Sequence, residues 1–177
     1  MSRRISGAKP CLRIGLGVVL ALALLAPPAL LRAQDGELAV GAPAPVVSVP
    51  DLDGKPVNLG DFIGKRPVFL EYWATWCSVC TELLPRVRAA EKKYGKDVEF
   101  IGINVAVNQS VSRVKRYAET EKPPFRILYD KQGVSTRSYG ATTTSYIVII
   151  DRAGKIAYIG VGADQPFEAA LAKVAKP

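Results

Sequence analysis

The 177-residue chain contains no histidine, a single methionine and only three cysteines. The absence of imidazole excludes His-based acid–base catalysis, a Cys–His dyad and the usual His-containing zinc and copper sites. Any chemistry that this protein performs therefore proceeds without imidazole.

The chain also lacks a strong excess of charge outside its N-terminus. Of 24 Lys and Arg residues, five lie within residues 1–33, where there is no Asp or Glu, and the others are scattered among 16 acidic residues. This distribution provides no basic surface for nucleic acid and excludes it as a partner. The length and a hydrophobic content of 49% are enough for one domain with a sizeable core.

Residues 1–33 have the three parts of an export signal. Basic residues extend to Arg13, an uncharged apolar stretch covers Ile14 to Ala26, and two prolines and small residues follow. This apolar stretch fits a signal peptide better than a membrane span, which requires about 20 residues. We expect cleavage near Ala33; the alternative is an uncleaved anchor, which alone would tie the protein to the membrane. Either case places the domain in an oxidising compartment outside the cytoplasm, which we expect to be the periplasm.

The rest of the chain has the pattern of one α/β domain. We expect a flexible lead-in over residues 34–44 and a folded domain over residues 45–177. The predicted elements are, in order, a hairpin of 46–49 and 56–59, a strand over 68–73, a helix from 78 to about 94 that Pro85 should kink, a strand over 98–105, a helix over 111–118, a strand over 125–129, a hairpin of 146–150 and 155–159, and a closing helix over 167–174. The alternation of strands and helices in the middle predicts parallel pairing, so the sheet should be mixed.

Cys77 and Cys80 lie three positions apart at the predicted start of the long helix. Amides at a helix N-terminus favour a thiolate, which attacks a disulfide, and a second cysteine then resolves the mixed disulfide. Cys77 would be the nucleophile and Cys80 the resolving thiol, whereas Cys11 precedes the apolar stretch and would leave with the signal peptide. The alternatives are an inert structural disulfide and half of a metal site, but a four-ligand zinc site requires two further Cys or His ligands.

The cysteine pair belongs to a longer motif, Trp73-Ala74-Thr75-Trp76-Cys77-Ser78-Val79-Cys80, followed by Pro85. Further motifs occur on both sides: Gly41-Ala42-Pro43-Ala44-Pro45, Leu52-Asp53-Gly54-Lys55 and Gly64-Lys65 upstream, and Leu128-Tyr129-Asp130, Tyr139-Gly140 and Ile149-Ile150-Asp151-Arg152-Ala153-Gly154-Lys155 downstream. In order and spacing they resemble the TlpA-like and ResA-like branch of the thioredoxin superfamily.

This resemblance implies a thioredoxin-like three-layer fold, with a mixed central sheet flanked by helices and an N-terminal β-hairpin extension. It implies thiol-disulfide exchange on protein substrates, with no cofactor or metal. In related proteins the activity is often reducing, depends on a membrane-side redox partner and serves cytochrome c or oxidase maturation.

Two residues near the motif become candidate site residues. Glu71 lies in an apolar strand where thioredoxins carry a buried acid; burial would raise its pKa and make it a candidate proton acceptor for Cys80. Trp76 would lie beside the Cys77 sulfur as an apolar docking surface for substrate, whereas we expect Trp73 to pack in the core.

The largest departure from the related proteins is at Thr144-Ser145, where they have threonine and a cis-proline that shapes the substrate groove. A cis bond before a residue other than proline costs about 2.5 to 4 kcal/mol, so we predict a trans bond and a reshaped loop. We retain Thr144 and Ser145 as substrate-binding residues and expect the Ser145 hydroxyl to donate to a Cys77 thiolate.

Two other functions remain open from the residues alone. A Cu(I)-binding metallochaperone could hold the metal with Cys77 and Cys80. A thiol peroxidase is less favoured, because Ala74 stands where peroxiredoxins have threonine in P-x-x-x-T-x-x-C. Ser78 and Val79 are uncharged, so they do not set the direction of electron flow.

Overall fold

A five-stranded mixed sheet organises residues 38–176, the part of the chain that the computed structural model describes. The expected export signal over residues 1–33 lies outside the described residues. The strands are β1 (Ser48–Pro50), β2 (Pro56–Asn58), β3 (Val68–Trp73), β4 (Glu99–Asn104), β5 (Arg126–Tyr129), β6 (Tyr146–Ile150) and β7 (Ile156–Val161). The α-helices are α1 (Ser78–Tyr94), α2 (Val111–Glu121), α3 (Val134–Ser138) and α4 (Phe167–Val174).

The strand order in the large sheet is β5-β4-β3-β6-β7. Strands β3, β4 and β5 are parallel, and β6 and β7 complete the sheet antiparallel to their neighbours. Strands β1 and β2 form the separate N-terminal hairpin. The predicted mixed sheet and hairpin extension are therefore confirmed, and the strand that leads into the cysteines lies at the centre of the sheet.

Two apolar clusters cover the two faces of this sheet. On one face, Phe69 and Ile147 pack against Leu83 of α1 and Phe167 of α4. On the other face, the cluster joins Leu70, Ile101 and Val148 to Val49 of the hairpin and to Tyr139, which follows α3. Because successive strand residues point to opposite faces and both faces are covered, β3 is apolar at every position except Glu71, and all six of its residues are buried.

The main differences from the predicted elements are at their ends. Helix α1 has the predicted bounds and continues through Pro85, whereas α2 extends three residues beyond the predicted end at Ala118. The five-residue helix α3 and a 3-10 turn at Leu59–Asp61 were not predicted, because such short elements carry no apolar periodicity.

Backbone pairing begins before Pro45, where we expected the domain to start. The amide of Gly41 donates to the carbonyl of Ile156 at 2.8 Å, and the amide of Ala44 donates to the carbonyl of Gly154 at 2.9 Å. This part of the expected lead-in is therefore hydrogen-bonded to the last hairpin of the sheet. None of the helices within residues 38–176 is long and apolar enough to span a membrane.

Candidate active site

Cys77 and Cys80 are joined by a disulfide at the N-terminus of α1, which begins at Ser78. Cys77 is the residue that caps the helix, and its Sγ accepts a hydrogen bond from the backbone amide of Cys80 at 3.0 Å. This amide and the positive end of the helix dipole would stabilise a thiolate on Cys77 after reduction. Both cysteines are only 6% exposed, so a partner must reach them through the side chains that surround them.

An exposed apolar surface adjoins the disulfide. Trp76 is 46% exposed, and its indole N–H donates to the carbonyl of Val107 at 2.7 Å, which fixes the ring across the loop that follows β4. Val79 and Val107 are exposed beside it. Trp73, by contrast, is buried and packs against the rings of Tyr117 and Phe125. The two tryptophans thus have the different surroundings that we expected.

A cavity of about 350 Å³ lies between Trp76 and the loop before β6. Its lining is formed by Trp76, Val105, Val107, Thr136, Ala141, Thr142, Thr143 and Thr144. Thr144 therefore lies where a bound segment would contact it, and the cavity is large enough for one apolar side chain of a substrate.

Ser145 contacts both sulfur atoms. Its Oγ lies 3.1 Å from Sγ of Cys80 and 3.4 Å from Sγ of Cys77, and the residue is 1% exposed. The residues described contain no cis peptide bond, so the predicted trans Thr144-Ser145 bond is confirmed. Ser145 instead has a positive φ of 56°, a left-handed conformation that a proline cannot adopt.

Glu71 is buried in the middle of β3, where it pairs with Gly102 of β4 and Ile147 of β6. It is 2% exposed, and its Oε2 has no hydrogen-bond partner among the described residues. Desolvation raises its pKa from 4.5 to about 8, because burial disfavours the charged carboxylate. The carboxyl is thus protonated near neutral pH and can exchange a proton in the physiological range.

Two further buried polar atoms accompany Glu71 on the same face of the sheet. They are Nε1 of Trp73 and Nδ2 of Asn104, residues that pair with each other between β3 and β4. Neither atom has a hydrogen-bond partner among the described residues, and Trp73 packs in one cluster with Cys77 and Cys80. Glu71 is therefore two residues along β3 from Trp73, the residue that packs with the cysteines, and lies on the same face of the sheet.

Gln165 and the loop after β4 also lie around the disulfide, and neither was predicted from the sequence. Gln165 is buried and donates to the Ser145 carbonyl, although nothing in the residues around it indicates a site. The loop after β4 includes Ala106 and Asn108, both with positive φ, and Val107 between them accepts the Trp76 hydrogen bond. A loop at the carboxyl end of a central parallel strand is a common location for a binding site, and that signal could have identified it.

The described residues contain no group of three or more Cys, His, Asp or Glu side chains that could hold a metal ion. Within residues 38–176, the cysteine pair is therefore not part of a larger ligand set of these residue types.

The sheet order and the disulfide at the start of α1 define a thioredoxin-fold thiol-disulfide oxidoreductase. The family model Redoxin matches residues 39–174, and the chain belongs to the Redoxin family, within its ResA-like group of thiol-disulfide oxidoreductases. The expected ResA-like resemblance and the predicted fold class are thus confirmed.

Three known proteins illustrate the similarity. Thiol-disulfide oxidoreductase ResA of Bacillus thuringiensis subsp. konkukian is 32% identical over 124 residues, which is 70% of each chain. Thioredoxin-like protein YneN of Bacillus subtilis is 32% identical over 123 residues, which is 69% of this chain and 71% of YneN. The thioredoxin domain of a thiol-disulfide oxidoreductase from Bacteroides vulgatus superposes with a TM-score of 0.66 at 24% identity, covering 77% of this chain and 99% of that domain.

Proposed function

We propose that this oxidoreductase acts outside the cytoplasm as a reductase of protein disulfides, with Cys77 as nucleophile and Cys80 as resolving thiol. The observation that carries the proposal is the position of Cys77 Sγ at the start of α1, where it accepts the Cys80 amide beside the exposed ring of Trp76. The export-signal pattern of residues 1–33 supports the location.

In the reduced protein, the Cys77 thiolate attacks one sulfur of a substrate disulfide, and the substrate S–S bond breaks to give a mixed disulfide and a substrate thiol. The Cys80 thiol then loses its proton to Glu71 and attacks Sγ of Cys77. The second substrate cysteine leaves as a thiol, and the Cys77–Cys80 disulfide forms. Two electrons thus pass to the substrate, and a membrane-side dithiol partner must return them before the next cycle.

Glu71 suits the role of proton acceptor because its pKa of about 8 lies close to that of an unperturbed thiol. A carboxyl with this pKa is largely protonated near pH 7, so the proton acceptor for Cys80 is the ionised fraction of Glu71, which has already released its own proton to water. General acid–base assistance of this kind typically contributes 10²–10⁴-fold to a rate when the pKa is near the working pH.

We further propose that the substrates are proteins of cytochrome c or oxidase maturation. This proposal rests on the resemblance to the TlpA-like and ResA-like branch. Deleting the gene should lower the content of mature c-type cytochrome, and an added small dithiol should restore it. A loss that an added dithiol does not restore would contradict a reducing role.

The direction of electron flow is tested by the reduction potential of the Cys77–Cys80 pair, measured in glutathione or thioredoxin redox buffers. A reductase should have a value near that of thioredoxin, roughly −270 mV, together with activity in an insulin-reduction assay. A value near −120 mV would identify an oxidant instead. Stoichiometric Cu(I) binding with no insulin reduction would favour the metallochaperone.

Replacing Trp76 with alanine should weaken the binding of protein substrates. The indole ring is the largest exposed apolar side chain beside the disulfide, and an aromatic anchor of this kind commonly contributes about 1 kcal/mol or more, so we expect KM to rise about fivefold or more. Trp76→Phe is the matched control, because it retains an aromatic ring, although a smaller one, and removes the hydrogen bond to Val107. Equal KM values for the alanine variant and the wild type, measured with a protein substrate, would exclude docking at this ring.

A further inference from the structure

Ser145 lies in a strained backbone conformation. With a φ of 56°, it occupies the left-handed region that residues other than glycine seldom adopt, and it is the residue whose hydroxyl contacts both sulfur atoms. Such a conformation persists only where the surrounding structure holds it in place.

The hydrogen bonds that hold Ser145 come from the segment between β7 and α4. The side-chain amide of Gln165 donates to the Ser145 carbonyl at 2.9 Å and to the Gly162 carbonyl at 2.7 Å. The Gly162 amide also donates to the Ser145 carbonyl, at 3.1 Å. Gln165 is 6% exposed, and its Oε1 accepts from the Tyr158 hydroxyl at 3.3 Å, so its side chain is fixed at both ends.

Arg86 attaches this segment to the helix that carries the cysteines. Its guanidinium donates to the Gln165 carbonyl at 2.7 Å and also to the Ala163 carbonyl. The same group forms a two-pronged ion pair with Glu168 of α4, at 2.8 and 2.7 Å. A continuous set of hydrogen bonds therefore runs from α1 through Gln165 to the Ser145 backbone, and the Ser145 side chain returns to the sulfur atoms.

We propose that Gln165 is a positioning residue for the thiol pair: it holds Ser145 in its left-handed conformation and thereby keeps the serine hydroxyl in hydrogen-bonding distance of the Cys77 and Cys80 sulfurs. This inference rests on the proposed exchange reaction. In the reduced protein the hydroxyl donates to the Cys77 thiolate, which lowers the pKa of that thiol. Without the Gln165 amide, Ser145 relaxes toward negative φ and its hydroxyl turns away from the sulfur.

Gln165→Met removes the amide donor and keeps a side chain of similar length. In the reduced protein, the pKa of Cys77 can be measured by titrating the thiolate absorbance near 240 nm. We expect the thiolate fraction below the midpoint to fall about tenfold, the effect of losing one hydrogen bond to a charged group, and Ser145→Ala to produce the same change. The ionisable groups packed nearby, Glu71, Arg86, Tyr158 and Glu168, are present in both variants, so they do not account for a difference between either variant and the wild type.

The double variant distinguishes positioning from general stabilisation. If Gln165 acts through the Ser145 hydroxyl, Gln165→Met should cause no further change in the Ser145→Ala background. Additive effects would overturn the proposal, as would a Gln165→Met variant with a lower melting temperature and an unchanged Cys77 pKa. Should Gln165→Met fail to fold, Arg86→Lys provides a second variant. It keeps the charge beside Glu168 and loses the guanidinium hydrogen bonds to the Ala163 and Gln165 carbonyls. It should likewise raise the pKa of Cys77.

The titration requires no substrate, so its result is independent of the proposed function. A wild-type protein that does not reduce insulin, combined with the expected titration shifts, would overturn the reductase assignment and leave the role of Gln165 intact. Normal insulin reduction with no titration shift in any of the variants would overturn the role of Gln165 and leave the reductase assignment intact.

Discussion

Replacing Cys77 with serine is expected to reduce disulfide exchange to the uncatalysed rate. The serine hydroxyl has almost no anionic form near neutral pH, whereas the thiolate at this position is stabilised by the Cys80 amide and by the start of α1. The measurement is the rate of insulin reduction with an excess of a small dithiol. Ser78→Ala is the matched control, since Ser78 is exposed between the two cysteines and should leave the rate near that of the wild type.

Cys80→Ser should behave differently, because it removes only the second step. The Cys77 thiolate still attacks a substrate disulfide, but the mixed disulfide then has no internal thiol to resolve it. We expect a covalent complex to accumulate and to be visible on a non-reducing gel or by intact mass. If Cys77→Ser forms the complex instead of Cys80→Ser, the two roles must be exchanged.

Glu71→Gln should produce the second large effect, on the pH dependence of stability. The pKa of Glu71 is 4.5 in its ordinary state and about 8 in the fold, so the unfolded chain releases this proton at lower pH than the folded protein does. The stability contributed by the neutral carboxyl is fully present below pH 4.5 and is lost as the pH rises to about 8. Within this window the wild type should lose up to about 1.4 kcal/mol of unfolding free energy per pH unit.

The glutamine side chain of this variant does not titrate, so the slope should disappear, as measured by urea denaturation of the oxidised protein at several pH values. The same change should lower the rate of mixed-disulfide resolution by roughly 100-fold, since glutamine cannot accept the Cys80 proton. Glu82→Gln is the control, because Glu82 is exposed on α1 and should change neither quantity. A Glu71→Gln variant with the wild-type pH slope would contradict a protonated carboxyl at this position.

The accuracy of the predicted elements follows from the kind of residues that form them. Strands β3 and β6 were predicted to the residue, because β6 is a continuous apolar run, β3 is interrupted only by Glu71, and both are buried on both faces of the sheet. The start of α1 at Ser78 was equally clear from the cysteine pair and the amphipathic pattern behind it. Helix α3 was missed, since its five residues, Val134–Ser138, are mainly polar and its N-terminal residue has no side-chain cap.

The residues of the candidate site also fall into two groups, those that a local sequence pattern identifies and those that it does not. Cys77, Cys80, Trp76 and Glu71 lie within one segment of ten residues, so a single strand and the turn after it bring them together, and their local pattern was sufficient to identify them. Ser145 could be identified only through its position relative to related proteins. Gln165 and Arg86 belong to segments far apart in the sequence, and neither has a local pattern that marks it.

The sequence alone establishes the spacing of the cysteines and the absence of histidine and predicts the trans bond before Ser145, because each depends on residue type or on neighbouring covalent structure. The folded structure was needed to show that the Ser145 hydroxyl lies 3.1 Å from Cys80 Sγ and that the Gln165 amide donates to the Ser145 carbonyl. These contacts join α1, the residue that precedes β6 and the loop before α4, and these segments meet only when the sheet has assembled. A hydrogen bond between residues separated by 65 positions leaves no periodicity in the chain from which it could be predicted.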